Sequence, residues 1–193
     1  MRTVIVGPSG VGKTTLAKAL AEKNRTPFIS ASAKNLFDCY GFKDHKDIIN
    51  CGISDPKKGL QFQIEIMQTR IGLFQKTENF ISDRSPIDVW VYFLIQHSSQ
   101  LSGAQCSYMG ELFDKGLRTF DKIIYLPYIN EIEIEVDDVR ITNPYFQYMV
   151  NSVFDKLIED LRLTDKFKNA IWKTTERDFE CKLEICNIWL NTQ

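Results

Sequence analysis

Residues 7–14 read Gly-Pro-Ser-Gly-Val-Gly-Lys-Thr, which satisfies G-x-x-x-x-G-K-[ST] at every fixed position. The apolar run Val4-Ile5-Val6 precedes this motif. Thr15-Leu16-Ala17-Lys18-Ala19-Leu20-Ala21, apolar at helical spacing, follows it. Strand, glycine loop and helix in this order restrict the chain to folds in which a loop wraps a polyphosphate at a helix N-terminus. Glycines let main-chain N–H groups turn inward onto phosphate oxygens, and the helix end adds its dipole and free amides. Gly7, Pro8, Ser9, Gly10, Val11, Gly12 and Thr15 form the expected cradle. Lys13 is placed to put its ammonium on the β- and γ-phosphates, and the Thr14 hydroxyl to ligate Mg²⁺.

Strand-like apolar runs recur at Thr3–Val6, Pro27–Ser30, Asn79–Ser82, Lys122–Pro127 and Ala170–Thr174. Helical patterns separate them. Leu60, Ile64, Met67, Ile71 and Phe74 step by four and three along one helix face. Phe146, Met149, Val153, Leu157 and Leu161 do the same after the cap-like Asn143-Pro144, and Phe179, Leu183, Cys186 and Leu190 mark a closing helix. Strands alternating with helices predict an α/β fold with a parallel sheet and helices on both faces. In such sheets ligands bind beyond the carboxyl ends of the strands, so functional residues belong just after each strand run. The segment Ile48–Lys58, with Gly52, Asp55 and Pro56, reads as a loop.

After Phe80-Ile81-Ser82 comes Asp83-Arg84-Ser85-Pro86-Ile87-Asp88. Beside a phosphate loop, an acid at that position serves Mg²⁺ through water, and an arginine clamps a phosphate. Ser85 and Asp88, with Pro86 between them, read instead as a capping box that starts a helix. The following run Val89–Ile95 is apolar on all sides, and its cap signals favour a buried helix over a strand. Tyr92 on that helix stands either as a core aromatic or as a wall of the acceptor pocket, where Phe28, Tyr40 and Phe62 are further aromatic candidates. Arg140 follows a run of acids from Glu131 to Asp138. It reads equally as a closing cation or as a partner of its acidic neighbours.

Gly7–Thr14, the Asp83-Arg84-Ser85-Pro86 step and an arginine-bearing segment before a final strand and helix resemble the P-loop nucleoside and nucleotide kinases. The pattern is most similar to the thymidylate kinase and deoxynucleoside kinase branch, including deoxynucleoside monophosphate kinases of phage type. The resemblance spans nearly all of the chain, though only the glycine loop is highly specific. It implies a three-layer fold with a five-stranded parallel sheet in the order 2-3-1-4-5, over a single domain at 1–193. It also implies an acceptor region at about 31–78 and a lid at about 129–144. ATP would be the donor, with Mg²⁺ as cofactor. Lys13, Asp83, Arg84 and Arg140 would carry the chemistry, Thr14 and Asp83 would hold the metal, and Thr174 and Thr175 would lie beside the adenine. Related proteins form dimers, so a homodimer is an expectation that the residues themselves leave open.

Kinases that phosphorylate a hydroxyl commonly place an acid after the second strand. Here Phe28-Ile29 runs on into Ser30-Ala31-Ser32-Ala33-Lys34-Asn35, which contains no carboxylate. A phosphate acceptor needs cations rather than a base, and Lys34 and Arg70 are available for it. This points to a small (deoxy)nucleoside monophosphate as acceptor, with Lys34, Phe62, Arg70, Arg84 and Tyr92 around it. The alternative is a hydroxyl acceptor: a nucleoside, nicotinamide riboside or a polynucleotide 5′-end. A nucleotide-gated regulatory ATPase is the rival of another class. The Asn-Lys-x-Asp motif of GTPases is missing, and the third strand run ends in Asp-Arg rather than the Asp-Glu of AAA+ motors.

The 193 residues carry 24 basic and 25 acidic side chains, with no long basic run to grip a nucleic-acid backbone. Five cysteines form no C-x-x-C pair, an odd count that argues against a disulfide framework and for reduced thiols. A core strand at the start leaves no place for a signal peptide, and no apolar run spans a bilayer. The expected setting is therefore the cytoplasm.

Overall fold

The computed structural model describes residues 1–30, 34–129 and 143–192. The chain runs β1 (Arg2–Val6), α1 (Lys13–Lys23), β2 (Phe28–Ile29), α2 (Lys34–Tyr40), α3 (His45–Ser54), α4 (Pro56–Gln75), β3 (Phe80–Ser82) and α5 (Pro86–Gln96). A 3₁₀ turn at Ser98–Gln100 leads to α6 (Gly103–Leu117), β4 (Lys122–Tyr125), α7 (Pro144–Arg162), β5 (Ile171–Lys173) and α8 (Phe179–Asn191).

The five strands form one sheet in the order β2-β3-β1-β4-β5, with every pairing parallel. The sheet and its order are those implied by the resemblance, and each of the five strand runs contains a strand. Alternation along the strands divides the core. Val4 and Val6 point into a cluster with α4, α5, α6 and α7, whereas Ile5 joins Ile81 and Ile124 against Leu16 and Leu20 of α1 and Cys186 and Leu190 of α8. Helices therefore cover both faces. Register pairs Val4 with Ser82, Val6 with Tyr125 and Tyr125 with Lys173, so the strands end at one rim. The glycine loop, Asp83 and Thr174 all leave the sheet at that rim.

Local signals explain most boundaries. Ser85 caps α5 through a full capping box with Asp88, Pro86 stands in the first turn, and the apolar run Val89–Ile95 is helical as its caps predict. Asn143 caps α7 ahead of Pro144. The phase of α7 differs from the sequence pattern. Val150, Phe154, Ile158 and Leu161 are buried with Gln147, while Met149 is 43% exposed. The helix carries two adjacent apolar stripes, and the sheet takes the one containing Phe154. Met149, Val153 and Leu157 line an open groove with Trp90 and Leu94 of α5 instead.

The expected loop at Ile48–Lys58 is mostly helical. It spans the end of α3 and the start of α4, and Asp55 caps α4 by accepting from Lys58 N at 3.1 Å. Gly52 sits inside a helix because the His97 ring lies against it: a β-carbon there would come within 2.5 Å of His97 Nδ1. A tertiary contact, not a turn, requires that glycine.

Candidate active site

The glycine loop turns from β1 into α1 with Gly7, Gly10 and Gly12 at positive φ, and Gly12 occupies the N-cap. Gly7 is confined most tightly. Its φ is 144°, and a β-carbon would lie 2.1 Å from the Leu126 carbonyl oxygen, so the loop is pressed against the end of β4. Val11 is buried beneath the loop, whereas Thr14 and Thr15 are exposed on the first turn of α1. Lys13 is 4% exposed and folds back over the loop, its Nζ donating to Gly7 O at 2.6 Å and Pro8 O at 2.5 Å. A polyphosphate entering the cradle meets an ammonium already positioned inside it.

Asp83 leaves β3 beside the first turn of α1. Thr14 Oγ1 donates to Asp83 Oδ2 at 2.6 Å, and the other carboxylate oxygen, Oδ1, is buried with no partner among the described residues. A hydroxyl and a carboxylate in contact, with one anionic oxygen unsatisfied, form a donor set of the hard-oxygen kind that suits Mg²⁺.

Arg84 is half-buried at the same rim, and Tyr92 stands half-buried on α5. Burial raises the Tyr92 hydroxyl above its ordinary range, opposed by the charge of Arg84. Lys13, Thr14 and Asp83 thus converge on the loop, with Arg84 next to Asp83 at the strand end. Asp88, in the first turn of α5, does more than its capping signal accounts for. One of its oxygens, Oδ2, closes the capping box, while Oδ1 is buried without a partner. A capping signal accounts for only half of a carboxylate.

The other candidates take varied positions. Phe62 is 1% exposed, enclosed by Phe37, Tyr40 and Phe42 with ring centroids 5.9, 5.1 and 5.0 Å away. Phe28 packs with the α1 and α8 layer, so the aromatic candidates do not form one wall. Arg70 is buried and donates from Nη1 to Ser85 O at 2.8 Å. Burial pushes its guanidinium down to about 10, still charged at neutral pH. Thr174 is buried after β5, its hydroxyl accepting from Glu176 N at 3.2 Å, and Thr175 is exposed beside it. Lys34 opens α2, but its side chain lies outside the described residues, as do residues 130–142 with Arg140.

Residues 2–162 match the family described as an AAA domain. The chain belongs to that family. None of the curated proteins matches it. Among solved structures it is similar to a deoxyadenosine kinase from M. mycoides, solved with the products dCMP and a flexible dCDP bound. That match has a TM-score of 0.71 at 16% identity and covers 100% of this chain and 99% of that one. NadR protein in complex with NR matches with a TM-score of 0.71 at 15% identity, covering 99% of this chain and 52% of that one. YorR protein from Bacillus subtilis, in complex with phosphorylated GDP, matches with a TM-score of 0.53 at 14% identity over 97% of this chain and 94% of that one. This member of the AAA domain family therefore has the P-loop kinase fold. No described helix is long and apolar enough to cross a membrane, and no disulfide links the described cysteines.

Proposed function

We propose that this protein is a cytoplasmic phosphotransferase that moves the γ-phosphate of ATP, with Mg²⁺, to a small nucleoside or nucleotide. The observation that carries the reading is the Thr14–Asp83 contact at the mouth of the glycine loop, with Asp83 Oδ1 buried and unpartnered beside it. The amides of residues 9–14 would wrap the polyphosphate. Lys13 would exchange its bonds to Gly7 O and Pro8 O for the β- and γ-phosphate oxygens, and Arg84 would meet charge that develops on the moving group. Thr14 and Asp83 would hold Mg²⁺, which when bound supplies positive charge between the phosphates. Thr174 and Thr175 leave β5 at the same rim and would border the base of the donor. Arg140 would close over the site from the lid. Tyr92 would border the acceptor beside Arg84.

The lack of a carboxylate after Ile29 supports a (deoxy)nucleoside monophosphate as the acceptor, with Lys34 as a cation for its phosphate. A specific observation favours a second reading, a hydroxyl acceptor. Arg70, the other cation assigned to an acceptor phosphate, is buried and bonded to the Ser85 carbonyl. In that case Asp83 would take the proton from the hydroxyl. ATP turnover in the presence of each nucleoside, deoxynucleoside, monophosphate, nicotinamide riboside and an oligonucleotide 5′-end distinguishes these acceptors. A kinase is stimulated strongly by one class of them. Turnover indifferent to every acceptor would favour the regulatory ATPase.

A further inference from the structure

Among the described residues, no hydrogen bond or ion pair holds the Arg84 guanidinium, so its aim depends on the main chain that carries it. That main chain is pinned on both sides. Ser82 Oγ donates to Arg84 O at 2.9 Å. On the other side, Ser85 N donates to Asp88 Oδ2 at 2.8 Å, and Ser85 Oγ accepts from Ile87 N at 3.0 Å. These contacts are local. The Ser85 carbonyl is held from a different element: Arg70 Nη1, from the middle of α4, donates to it at 2.8 Å. Without Arg70 the remaining donor to that oxygen is Val89 N at 3.4 Å, at the weak end of the hydrogen-bond range.

We infer that Arg70 is a positioning residue: by holding the Ser85 carbonyl it fixes the Asp83-Arg84 turn and so aims Arg84 in the transfer step, and it does not touch the acceptor. The inference rests on the phosphotransferase reading for its kinetic consequence, though the clamp itself does not. Three observations support it. Arg70 is 6% exposed, so its guanidinium is withdrawn from the surface an acceptor would approach. Burial disfavours its charge, and Asp88 and Asp83 of the turn offset that in part, with Arg84 opposing. A buried charge that is both hydrogen-bonded and faced by carboxylates is a fixed part of the structure rather than a mobile ligand contact. Finally, the clamp joins α4, whose N-terminal half packs on the aromatic cluster around Phe62, to the strand end that bears Asp83. A small displacement of Arg84 is costly, because a misplacement of about 1 Å can lower a rate on the order of a hundredfold.

The test compares wild type with Arg70→Met, which keeps the stem and removes the donors, and Arg70→Lys, which keeps a charge. Both are also made in the Arg84→Ala background. In Arg70→Met, kcat should fall about 10- to 100-fold while the acceptor KM stays within about twofold. Arg70→Lys should recover part of the loss. In the Arg84→Ala background, Arg70→Met should have little further effect on kcat, because the residue it aims is gone. Amide exchange at Arg84 and Ser85 should quicken in Arg70→Met, with the strands unaffected. A raised acceptor KM with kcat preserved would mean that Arg70 contacts the acceptor, and would overturn the inference. So would additive losses in the double variant, or a lowered Tm with unchanged kinetics. If wild type transfers phosphate to no acceptor, the functional reading falls. The exchange experiment then still decides the clamp, and unchanged exchange at Arg84 and Ser85 in both variants would sink it.

Discussion

Thr14 Oγ1 donates a 2.6 Å hydrogen bond to Asp83 Oδ2, tying the first turn of α1 to the end of β3. The parallel register of β1 with β3 makes that contact between residues 69 positions apart. Asp83→Asn keeps the shape and a Thr14 partner but removes the anionic oxygen. We expect kcat to fall by about a hundredfold or more and the Mg²⁺ concentration for half-maximal rate to rise. Initial rates across a Mg²⁺ titration check this, and an unaltered titration curve would remove Asp83 from the metal site.

Lys13 is buried over its own loop, bonded to two carbonyls, rather than extended into solvent. Its ammonium therefore has little ordering entropy left to lose when a triphosphate arrives. Lys13→Ala removes the main protein counterion of the β- and γ-phosphates and should abolish transfer. Calorimetric titration with ATP and Mg²⁺, run beside the activity assay, separates lost binding from lost chemistry. Near-normal turnover in the variant would contradict the mechanism.

Arg84 is half-buried at the strand end, next to Asp83. If its charge is used only as the phosphoryl group moves, Arg84→Ala lowers kcat by on the order of a hundredfold with little change in KM. Steady-state kinetics decide the point: a pure KM effect would make Arg84 a ground-state binding residue.

The sheet was legible because its central strands are buried on both faces and all five read as short apolar runs, and the switch to helix at Val89–Ile95 was legible because Ser85-Pro86-Ile87-Asp88 announces a cap. Placing Asp83 and Arg84 beside the glycine loop followed from the rule that ligands gather at the carboxyl rim. What stayed hidden depends on contacts distant in sequence. Gly52 looks like a loop former until His97 is seen against it. Arg70 looks like a free cation until Ser85 O is seen 2.8 Å away. Phe62 looks like a stacking wall, and only the fold surrounds it with three other rings. On α7 two neighbouring apolar stripes were available, and periodicity alone does not choose between them.

Gly7 and Gly12 sit in one motif under different constraints. At Gly7 an added β-carbon would lie 2.1 Å from the Leu126 carbonyl oxygen, whereas at Gly12, with φ of 85°, nothing lies within 4 Å. Gly7→Ala should cost about 3 kcal/mol or more, because main chain must move. Gly12→Ala should cost about 1–2 kcal/mol, from left-handed backbone alone. Denaturant unfolding of the two variants measures the difference, and equal losses would show that Leu126 yields easily.

His97 ends α5 in a dry slot. Its ring is 1% exposed, with Gln63 Nε2 3.1 Å from Nε2, Nδ1 without a partner among the described residues, and Gly52 and Gly59 packed alongside. Burial alone pushes the imidazole down to about 4 from its ordinary 6.5. The folded protein therefore resists a proton that the unfolded chain accepts. The contribution to stability is complete above the unfolded value and is lost as pH falls from about 6.5 toward 4. By linkage the loss is about 2 kcal/mol at pH 5 and approaches about 3 kcal/mol near pH 4. Carboxylates titrate in the same range, so the measurement is a difference: urea unfolding of wild type and His97→Gln at pH 7 and pH 5. Glutamine keeps a polar group in the slot but does not titrate. Wild type should lose about 2 kcal/mol more than His97→Gln over that interval. Parallel losses in the two proteins would show that His97 accepts its proton as readily when folded as when unfolded.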